Sequence, residues 1–295
     1  MKKKKLIFIL SSNYSGSHFL SLLLGSNTKA EHLGELKNLY KGQSEARCYK
    51  CNNLNSCDLF SGVDRMPKKD LYDELFLRVN EEVEVLIDAS KKPKWFKDFV
   101  GDVRYDVRLI HLIRDPRALA RRWLMRFEEK NIGLRERIKQ WRKRPYKLFL
   151  FIFCDLLTIC IYKWVSQNME IASFVRKSGL PSKVITYREL ALETDSILGD
   201  ICKWVDIEYE PQQKRYWEFS HHGTQKHEYE WVREQGGAQI FDQRWKSYLN
   251  KEQIERVENS RVIKDLLGEL SLNICTEGLE SVQKNGAARQ ERGKK

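Results

Sequence analysis

The sequence has no apolar run long enough to cross a membrane. The stretch at 148–162 is apolar, but Asp155 interrupts it, and it falls short of the ~20 residues that a spanning helix needs. A secretory signal is also missing, because the apolar run behind the lysines at 2–5 stops at Leu10 and no small-residue cleavage site follows. These absences predict a cytoplasmic protein.

The chain also lacks a disulfide framework and an excess of acidic charge. Its seven cysteines are odd in number and unevenly spread, unlike those of small secreted domains. Lys and Arg outnumber Asp and Glu by 53 to 41. This balance favours a nucleotide, a nucleic acid or a membrane surface as partner, although a solvated basic surface gives the same balance. With 295 residues, 41% of them hydrophobic, the chain is long enough for one large globular domain or two small ones.

Apolar runs of strand length alternate with helical patterns. The runs are predicted to be buried parallel strands and lie at 6–10, 83–87, 107–113 and 183–187. Helices are predicted at 116–129, after Asp115 as N-cap, and at 196–205. The alternation predicts an α/β fold with a central, mostly parallel sheet, in which ligands bind beyond the carboxyl ends of the strands.

Small residues follow the first predicted strand and lead into an apolar helix. Around Gly16 they let backbone N–H groups approach a ligand, and the helix N-terminus adds positive partial charge. The pattern predicts a phosphate site, although an ordinary strand–helix turn has the same pattern. The turn lacks the Lys and Ser/Thr of a Walker motif, since Ser17 and His18 stand after the glycine.

A second group of basic residues follows the third predicted strand. Arg114 and Arg117 lie where a helix is predicted to begin, and guanidinium groups beside free N–H groups form an anion site. The alternative is that Asp115 and its neighbouring arginines only cap the helix.

Together these two motifs resemble those of the bacterial-type sulfotransferases that use 3′-phosphoadenosine 5′-phosphosulfate (PAPS). Six further segments resemble landmarks of that family in the same order, at 33–36, 48–60, 87–93, 186–190, 221–223 and 241–245. The resemblance implies a single P-loop-like, three-layer α/β domain with a central, mostly parallel sheet flanked by helices. We place this domain at 1–275, with a helical insertion at about 130–170 and a disordered tail at 276–295.

The resemblance also implies which residues bind the cofactor. They comprise the turn with its flanks for the 5′-phosphosulfate, two arginines for the 3′-phosphate, and a late tyrosine: Tyr14, Ser15, Gly16, Ser17, His18, Phe19, Arg114, Arg122 and Tyr187. Three positions depart from the family pattern. Tyr14 stands where a basic residue or His is frequent, His18 where Thr or Ser is usual, and Arg122 where Ser is usual.

The implied reaction is in-line transfer of a sulfuryl group to a hydroxyl or amine, with adenosine 3′,5′-bisphosphate as product and no metal required. A general base takes the proton of the acceptor. Glu35, in a family-like Gly-Glu-Leu segment, is the favoured base, and His18 is the second catalytic candidate. His32 and His221 are rivals, and a capping or salt-bridged Glu35 is the structural alternative.

Three cysteines lie close together in the sequence. Cys48, Cys51 and Cys57 suggest zinc, but a fourth ligand with suitable spacing is missing. A local disulfide or buried thiols are therefore the expected states, and the sequence predicts no metal.

The predicted insertion carries a basic stretch at 135–147 followed by the apolar stretch at 148–162. One interpretation is a helix buried in the core. The other is a peripheral membrane contact with basic residues and Trp141 at the headgroups, which predicts a glycolipid or other lipid-linked carbohydrate as acceptor rather than a soluble small molecule.

Three further functions compete with sulfuryl transfer. They are a non-catalytic nucleotide-binding protein of the same fold, a P-loop kinase that uses ATP and Mg²⁺, and a basic module for nucleic acid or membranes. The missing Walker lysine argues against the kinase, and no nucleic-acid partner is expected from the sulfotransferase resemblance.

Overall fold

A five-stranded parallel sheet forms the centre of the protein. The computed structural model describes residues 3–42, 48, 50–223, 241–275 and 278–281. The strands are β1 (Lys4–Ser11), β2 (Ala30–His32), β3 (Val85–Lys91), β4 (Tyr105–Ile113) and β5 (Ser182–Thr186). Their order is β2-β3-β1-β4-β5, and every neighbouring pair is parallel. This confirms the predicted α/β fold with a central parallel sheet.

Helices occupy the connections between the strands. Those before β4 are α1 (Ser17–Leu24), α2 (Leu36–Tyr40), α3 (Leu71–Arg78) and α4 (Pro93–Phe96). Between β4 and β5 lie α5 (Pro116–Glu129), α6 (Gly133–Lys143), α7 (Leu148–Phe153) and α8 (Leu156–Ser178). Beyond β5 are α9 (Tyr187–Leu192), α10 (Thr194–Trp204), α11 (Trp245–Tyr248), α12 (Lys251–Glu258) and α13 (Arg261–Glu269). Short 3₁₀ helices lie at Val63–Arg65, Lys68–Asp70, Lys97–Phe99, Pro145–Lys147 and Pro211–Glu218.

The side chains of β1 show why helices cover both faces of the sheet. Leu6 and Phe8 belong to an apolar cluster with residues of α3, α4 and α8. Ile7 and Ile9 point to the other face and belong to a cluster with residues of α1 and α10. Because both faces of the strand are buried, its sequence is continuously apolar. The sheet is therefore the middle of three layers, as the sequence resemblance predicts.

The apolar stretch at 148–162 is divided between two helices. Asp155 separates α7 from α8 and caps α8 by accepting a hydrogen bond of 3.0 Å from the backbone N–H of Thr158. The side chains of Leu157, Ile159 and Ile161 are buried, so the second half is a core helix. In α7, by contrast, Phe149 is 76% and Phe153 81% exposed. The first half therefore lies largely at the surface.

The chain ends, within the described residues, in a small antiparallel hairpin of β6 (Leu272–Cys275) and β7 (Gly278–Ser281). β7 lies inside the segment 276–295 that the sequence predicts to be disordered, and the rest of that segment is outside the described residues. Among the described helices, none combines the length and the apolar character needed to span a membrane.

Candidate functional site

The turn after β1 adopts a conformation that depends on glycine. Gly16 has a φ of +92° and precedes α1 as its N-cap. A Cβ atom placed on Gly16 would lie 2.6 Å from Cδ2 of Tyr187, at the start of α9. Since real Cβ atoms do not approach so closely, the absence of a side chain lets the Tyr187 ring cover the turn. The structure thus brings together two elements that are far apart in the sequence.

Four serine hydroxyl groups surround this turn without a hydrogen-bond partner. The side chains of Ser11, Ser12, Ser15 and Ser17 are buried, and none of their Oγ atoms bonds to any described residue. Buried hydroxyl groups ordinarily have partners, because leaving one unpaired costs about 1–3 kcal/mol. Ser11 and Ser12 lie at the end of β1, and Ser15 and Ser17 lie at the N-terminus of α1, where backbone N–H groups and the helix dipole favour an anion. The arrangement suits a phosphate or sulfate group.

Arg114 brings a cation from β4 to the same turn. Its Nη1 donates to the carbonyl oxygen of Tyr14 at 2.7 Å, and its guanidinium lies 4.3 Å from the ring centroid of Tyr187. Its Nη2 donates to Asp242 at 2.7 Å, while its buried Nε has no partner among the described residues. Burial works against the ionised form of Asp242, but Arg244 and Arg114 outweigh it and lower the pKa of that carboxyl to about 2. Arg114 is therefore held in place by a permanently charged partner.

Arg117 does not join this site. It is fully buried, forms an ion pair of 2.6 Å with Asp115 and another with Glu258, and packs over the ring of Trp245. Asp115 also caps α5 by accepting from the backbone N–H of Arg117 at 2.8 Å. For this arginine, the interpretation as part of a helix cap is correct, and the interpretation as an anion ligand is wrong.

Two arginines of α5 contact the side chain of Tyr14. The guanidinium of Arg122 lies 4.9 Å from the ring centroid, and Arg126 donates to the phenolic oxygen. Arg122 was predicted from the sequence, whereas Arg126 was not. The signal was available, because residues four apart on a helix share one face. Tyr14, which has a φ of +71°, thus joins the turn to a basic face of α5.

Glu35 is tied to a lysine at the carboxyl end of β3. Its Oε1 lies 2.5 Å from Nζ of Lys91, and its Oε2 accepts from Asn38 at 3.1 Å. Lys91 pairs with Leu10 in the sheet, which places it beside the last residues of β1. Its φ of +66° is unusual for a residue other than glycine. Glu35 therefore forms a salt bridge, as the alternative interpretation of this residue predicts. Its role as general base stays a prediction.

The three histidines named as candidate bases form a row of edge-on ring contacts that begins at His18 on α1. The ring centroids of His18 and His32 are 5.1 Å apart, and those of His32 and His221 are 5.9 Å apart. Ser21 Oγ lies 2.5 Å from His32 Nδ1, and Ser26 Oγ 3.0 Å from His221 Nε2. Burial lowers the pKa of His32 well below its usual value and that of His221 to about 4. Both rings are therefore neutral at pH 7.

Phe19 and the cysteine segment complete the set of predicted residues. Phe19 packs edge-to-face on Tyr216, with ring centroids 5.6 Å apart. Of the two states expected for Cys48, Cys51 and Cys57, a local disulfide or buried thiols, the structure shows free thiols, with Cys51 half-buried. All three sulfur atoms lie beside His222, a residue of the landmark at 221–223 for which the sequence predicts no role.

Comparison with known proteins supports the architecture. The sulfotransferase domain of the curacin biosynthetic pathway superimposes with a TM-score of 0.51 at 18% identity, over 92% of this chain and 99% of that domain. The sulfotransferase domain of the Synechococcus PCC 7002 olefin synthase gives a TM-score of 0.46 at 14% identity, over 93% of this chain and 98% of that domain. No family model and no curated protein sequence matches the chain. The first likeness shows that the protein has the sulfotransferase fold that the sequence resemblance predicts.

Proposed function

We propose that this protein is a sulfotransferase that moves a sulfuryl group from PAPS to a hydroxyl or amine of an acceptor. The observation that carries the proposal is the turn around Gly16, where four buried serine hydroxyl groups lack partners among the described residues and Arg114 lies alongside. Such a turn favours an anion for physical reasons alone. The fold and the order of the motifs in the sequence supply the identity of the donor.

In this proposal the turn holds the 5′-phosphosulfate. Backbone N–H groups and hydroxyls at 15–17 bind it, and the Tyr187 ring closes over them. The 3′-phosphate lies towards Arg114 and Arg122. Arg114 is already oriented by the Tyr14 carbonyl and Asp242, so little conformational entropy is lost when it binds an anion.

The reaction breaks the bond between sulfur and the phosphate oxygen and forms a bond between sulfur and the acceptor atom. The acceptor proton passes to a general base, and adenosine 3′,5′-bisphosphate leaves. Glu35 takes the proton, and its contact with Lys91 holds its carboxylate beside the end of β1. His18, at the start of α1, and Lys91, at the end of β3, stabilise charge on the departing phosphate. In our account this chemistry proceeds without a metal.

Transfer from labelled PAPS to a panel of acceptors tests the proposal. The Glu35→Gln variant is expected to bind adenosine 3′,5′-bisphosphate normally and to lose turnover by ~10²–10⁴-fold, the usual contribution of a general base. Glu84→Gln is the matched control, because it removes an ion-paired carboxylate just before β3. Glu84 thus lies at the N-terminal end of this strand, whereas the site lies beyond the carboxyl ends. An unchanged rate in Glu35→Gln would assign the role of general base to a histidine.

Two other outcomes would support the alternative functions. Tight bisphosphate binding without turnover supports the non-catalytic nucleotide-binding protein, and Mg²⁺-dependent use of ATP supports the kinase.

We further propose an amphipathic acceptor, such as a glycolipid, met at a membrane surface. The exposed apolar side chains of α6 and α7 include Leu134, Trp141, Phe149 and Phe153. Basic side chains lie among them, and Arg135, Lys139, Arg142 and Lys143 are exposed. Anionic headgroups attract such cations, while the aromatic and aliphatic groups gain by leaving water.

Flotation with anionic vesicles at low salt tests the membrane contact. The wild type is expected to float, and a double variant, Phe149→Ser with Phe153→Ser, is expected to remain with the soluble protein. Leu77→Ser is the control, since Leu77 is 74% exposed but belongs to α3 and not to α6 or α7. A wild type that stays soluble contradicts the membrane contact and favours a soluble acceptor.

A further inference from the structure

Away from the turn, three thiols and one imidazole converge on a single point. Nδ1 of His222 lies 3.5 Å from the sulfur of Cys48, 3.7 Å from that of Cys51 and 3.3 Å from that of Cys57. All four ligand atoms lie within 4.8 Å of one another. The cysteines come from the segment between α2 and α3, and the histidine follows the 3₁₀ helix Pro211–Glu218, so the fold joins parts of the chain more than 160 residues apart.

The three nitrogen–sulfur distances match edges of a metal-centred tetrahedron. Zinc binds a thiolate sulfur at about 2.3 Å and an imidazole nitrogen at 2.0–2.1 Å, and tetrahedral angles then place sulfur and nitrogen about 3.6 Å apart. The observed separations of 3.3–3.7 Å lie on both sides of that value. A combination of three sulfurs and one ring nitrogen is a known ligand set of closed structural zinc sites.

Hydrogen bonding within the cluster does not account for the convergence. A neutral imidazole has one acceptor nitrogen with one lone pair, so Nδ1 cannot accept from three thiols at once. A cation at the centre would contact all four atoms together. Cys48, Cys57 and His222 are buried, and a bound cation would replace the hydration that these polar groups lose on burial.

The surroundings of the four residues fit a thiolate-bound metal. The backbone N–H of Phe60 donates to the sulfur of Cys57 at 3.4 Å. The Phe60 ring lies edge-on to the His222 ring, with centroids 6.1 Å apart. Such N–H groups stabilise negative charge on bound sulfur and orient the ligand. Soft thiolates with imidazole select zinc over magnesium or calcium, which prefer oxygen ligands.

We propose that Cys48, Cys51, Cys57 and His222 bind one structural Zn²⁺ ion. On binding, the thiols lose their protons to solvent and the sulfur atoms become thiolate ligands. The ion fastens the segment after α2 to the chain at His222, which is next to His221 and its edge-on contact with His32. It is a positioning site that supports the region beside α1 and takes no part in sulfuryl transfer.

Metal analysis of the full-length protein, purified without added chelator, tests this site. We expect about one zinc per chain in the wild type and in the control variant Cys154→Ser. Cys154 is the C-cap residue of α7 and does not belong to the cluster. We expect a loss of at least tenfold in His222→Ala and in Cys51→Ser. A strong chelator is expected to lower the melting temperature of the wild type and to leave that of His222→Ala unchanged, because an ion that binds only the native state stabilises it.

A second variant replaces one metal ligand by another, so that the site can be tested even if His222→Ala does not fold. His222→Cys retains four metal ligands, so it is expected to hold zinc and, with Co²⁺ in place of zinc, to show stronger sulfur-to-metal absorption than the wild type. The proposal is overturned if the folded, reduced wild type contains no more zinc than the buffer background. It is also overturned if His222→Ala contains as much zinc as the wild type. A disulfide among the three cysteines in the protein as purified also overturns it. None of these measurements depends on transferase activity.

Discussion

The missing side chain of Gly16 decides whether the turn after β1 closes around an anion. In Gly16→Ala the new Cβ would meet the Tyr187 ring, at a backbone conformation that L-residues rarely adopt. We expect Gly16→Ala to weaken binding of adenosine 3′,5′-bisphosphate by at least tenfold, as measured by calorimetry.

Gly101→Ala provides the matched control for this substitution. Gly101 has a φ of +85°, and a Cβ there meets nothing within 4 Å. Both variants carry the left-handed backbone cost of about 1–2 kcal/mol, but only Gly16→Ala adds the clash. Equal nucleotide affinity in the two variants would show that the turn does not hold the phosphate.

His111 makes the stability of the protein depend on pH. It is buried on β4 and accepts or donates a hydrogen bond with Asn168 at 3.1 Å. Burial lowers its pKa to about 4, although the contact with Asn168 opposes the shift. Between pH 6.5 and 4 the unfolded chain binds a proton at this residue that the folded chain does not, so stability falls as the pH is lowered. The linkage predicts a loss of about 2 kcal/mol between pH 7.5 and 5 from this residue.

Urea denaturation of His111→Gln at both pH values measures this contribution. The glutamine keeps a polar group for Asn168 but cannot titrate. The variant is expected to lose about 2 kcal/mol less than the wild type over the same range, since the linkage contribution disappears. Identical losses would mean that His111 is not buried in its neutral form.

At the scale of helices, Arg114 and Arg117 both lie where α5 begins and look alike in the sequence, but the structure gives them different partners. Arg117 fastens α5 to α12 through Asp115 and Glu258. In Arg117→Met the two carboxylates lose their partner, and breaking a buried ion pair costs about 3–5 kcal/mol. We expect a corresponding decrease in the free energy of unfolding, measured with urea.

Arg104→Met is the control for Arg117→Met, because it also removes an arginine that pairs with two carboxylates. Arg104 pairs with Asp102 and Asp73 at the surface, where such a pair contributes at most about 1 kcal/mol. Similar losses in the two variants would contradict the structural role assigned to Arg117.

The elements themselves were largely predictable from local pattern. The strands β1, β4 and β5 begin and end within two residues of the predicted runs. β1 is continuously apolar at 6–10 because it is buried on both faces. β3 was predicted two residues early and too short, since its second half contains Asp88, Ser90 and Lys91. Tyr72 and Trp95 donate to Asp88 at 2.7 and 2.8 Å, which lets a carboxylate lie within the core. β2 was missed, because a strand of three residues has no periodicity to recognise.

At the scale of the whole molecule, contacts between distant segments were beyond sequence analysis. The turn after β1 was predicted from its small residues, but the cover by Tyr187 depends on how α9 packs. The fourth residue of the cysteine cluster lies 165 residues beyond Cys57, so no local spacing rule could find it. The pairing of Glu35 with Lys91 likewise depends on the order of strands in the sheet. Local chemistry can be read from spacing, whereas the assembly of a site requires the fold.

The central claim is that the turn and the neighbouring arginines bind a nucleotide with phosphates at both the 3′ and 5′ positions. Calorimetric titration with adenosine 3′,5′-bisphosphate, AMP and ATP with Mg²⁺ tests it most directly, on the wild type and on Arg114→Gln. A charged hydrogen bond to the 3′-phosphate contributes about 1.5–3 kcal/mol, so the account predicts that the bisphosphate binds at least tenfold more tightly than AMP, and that Arg114→Gln removes this preference. Equal affinity for AMP and the bisphosphate, or tighter binding of ATP with Mg²⁺, would contradict it.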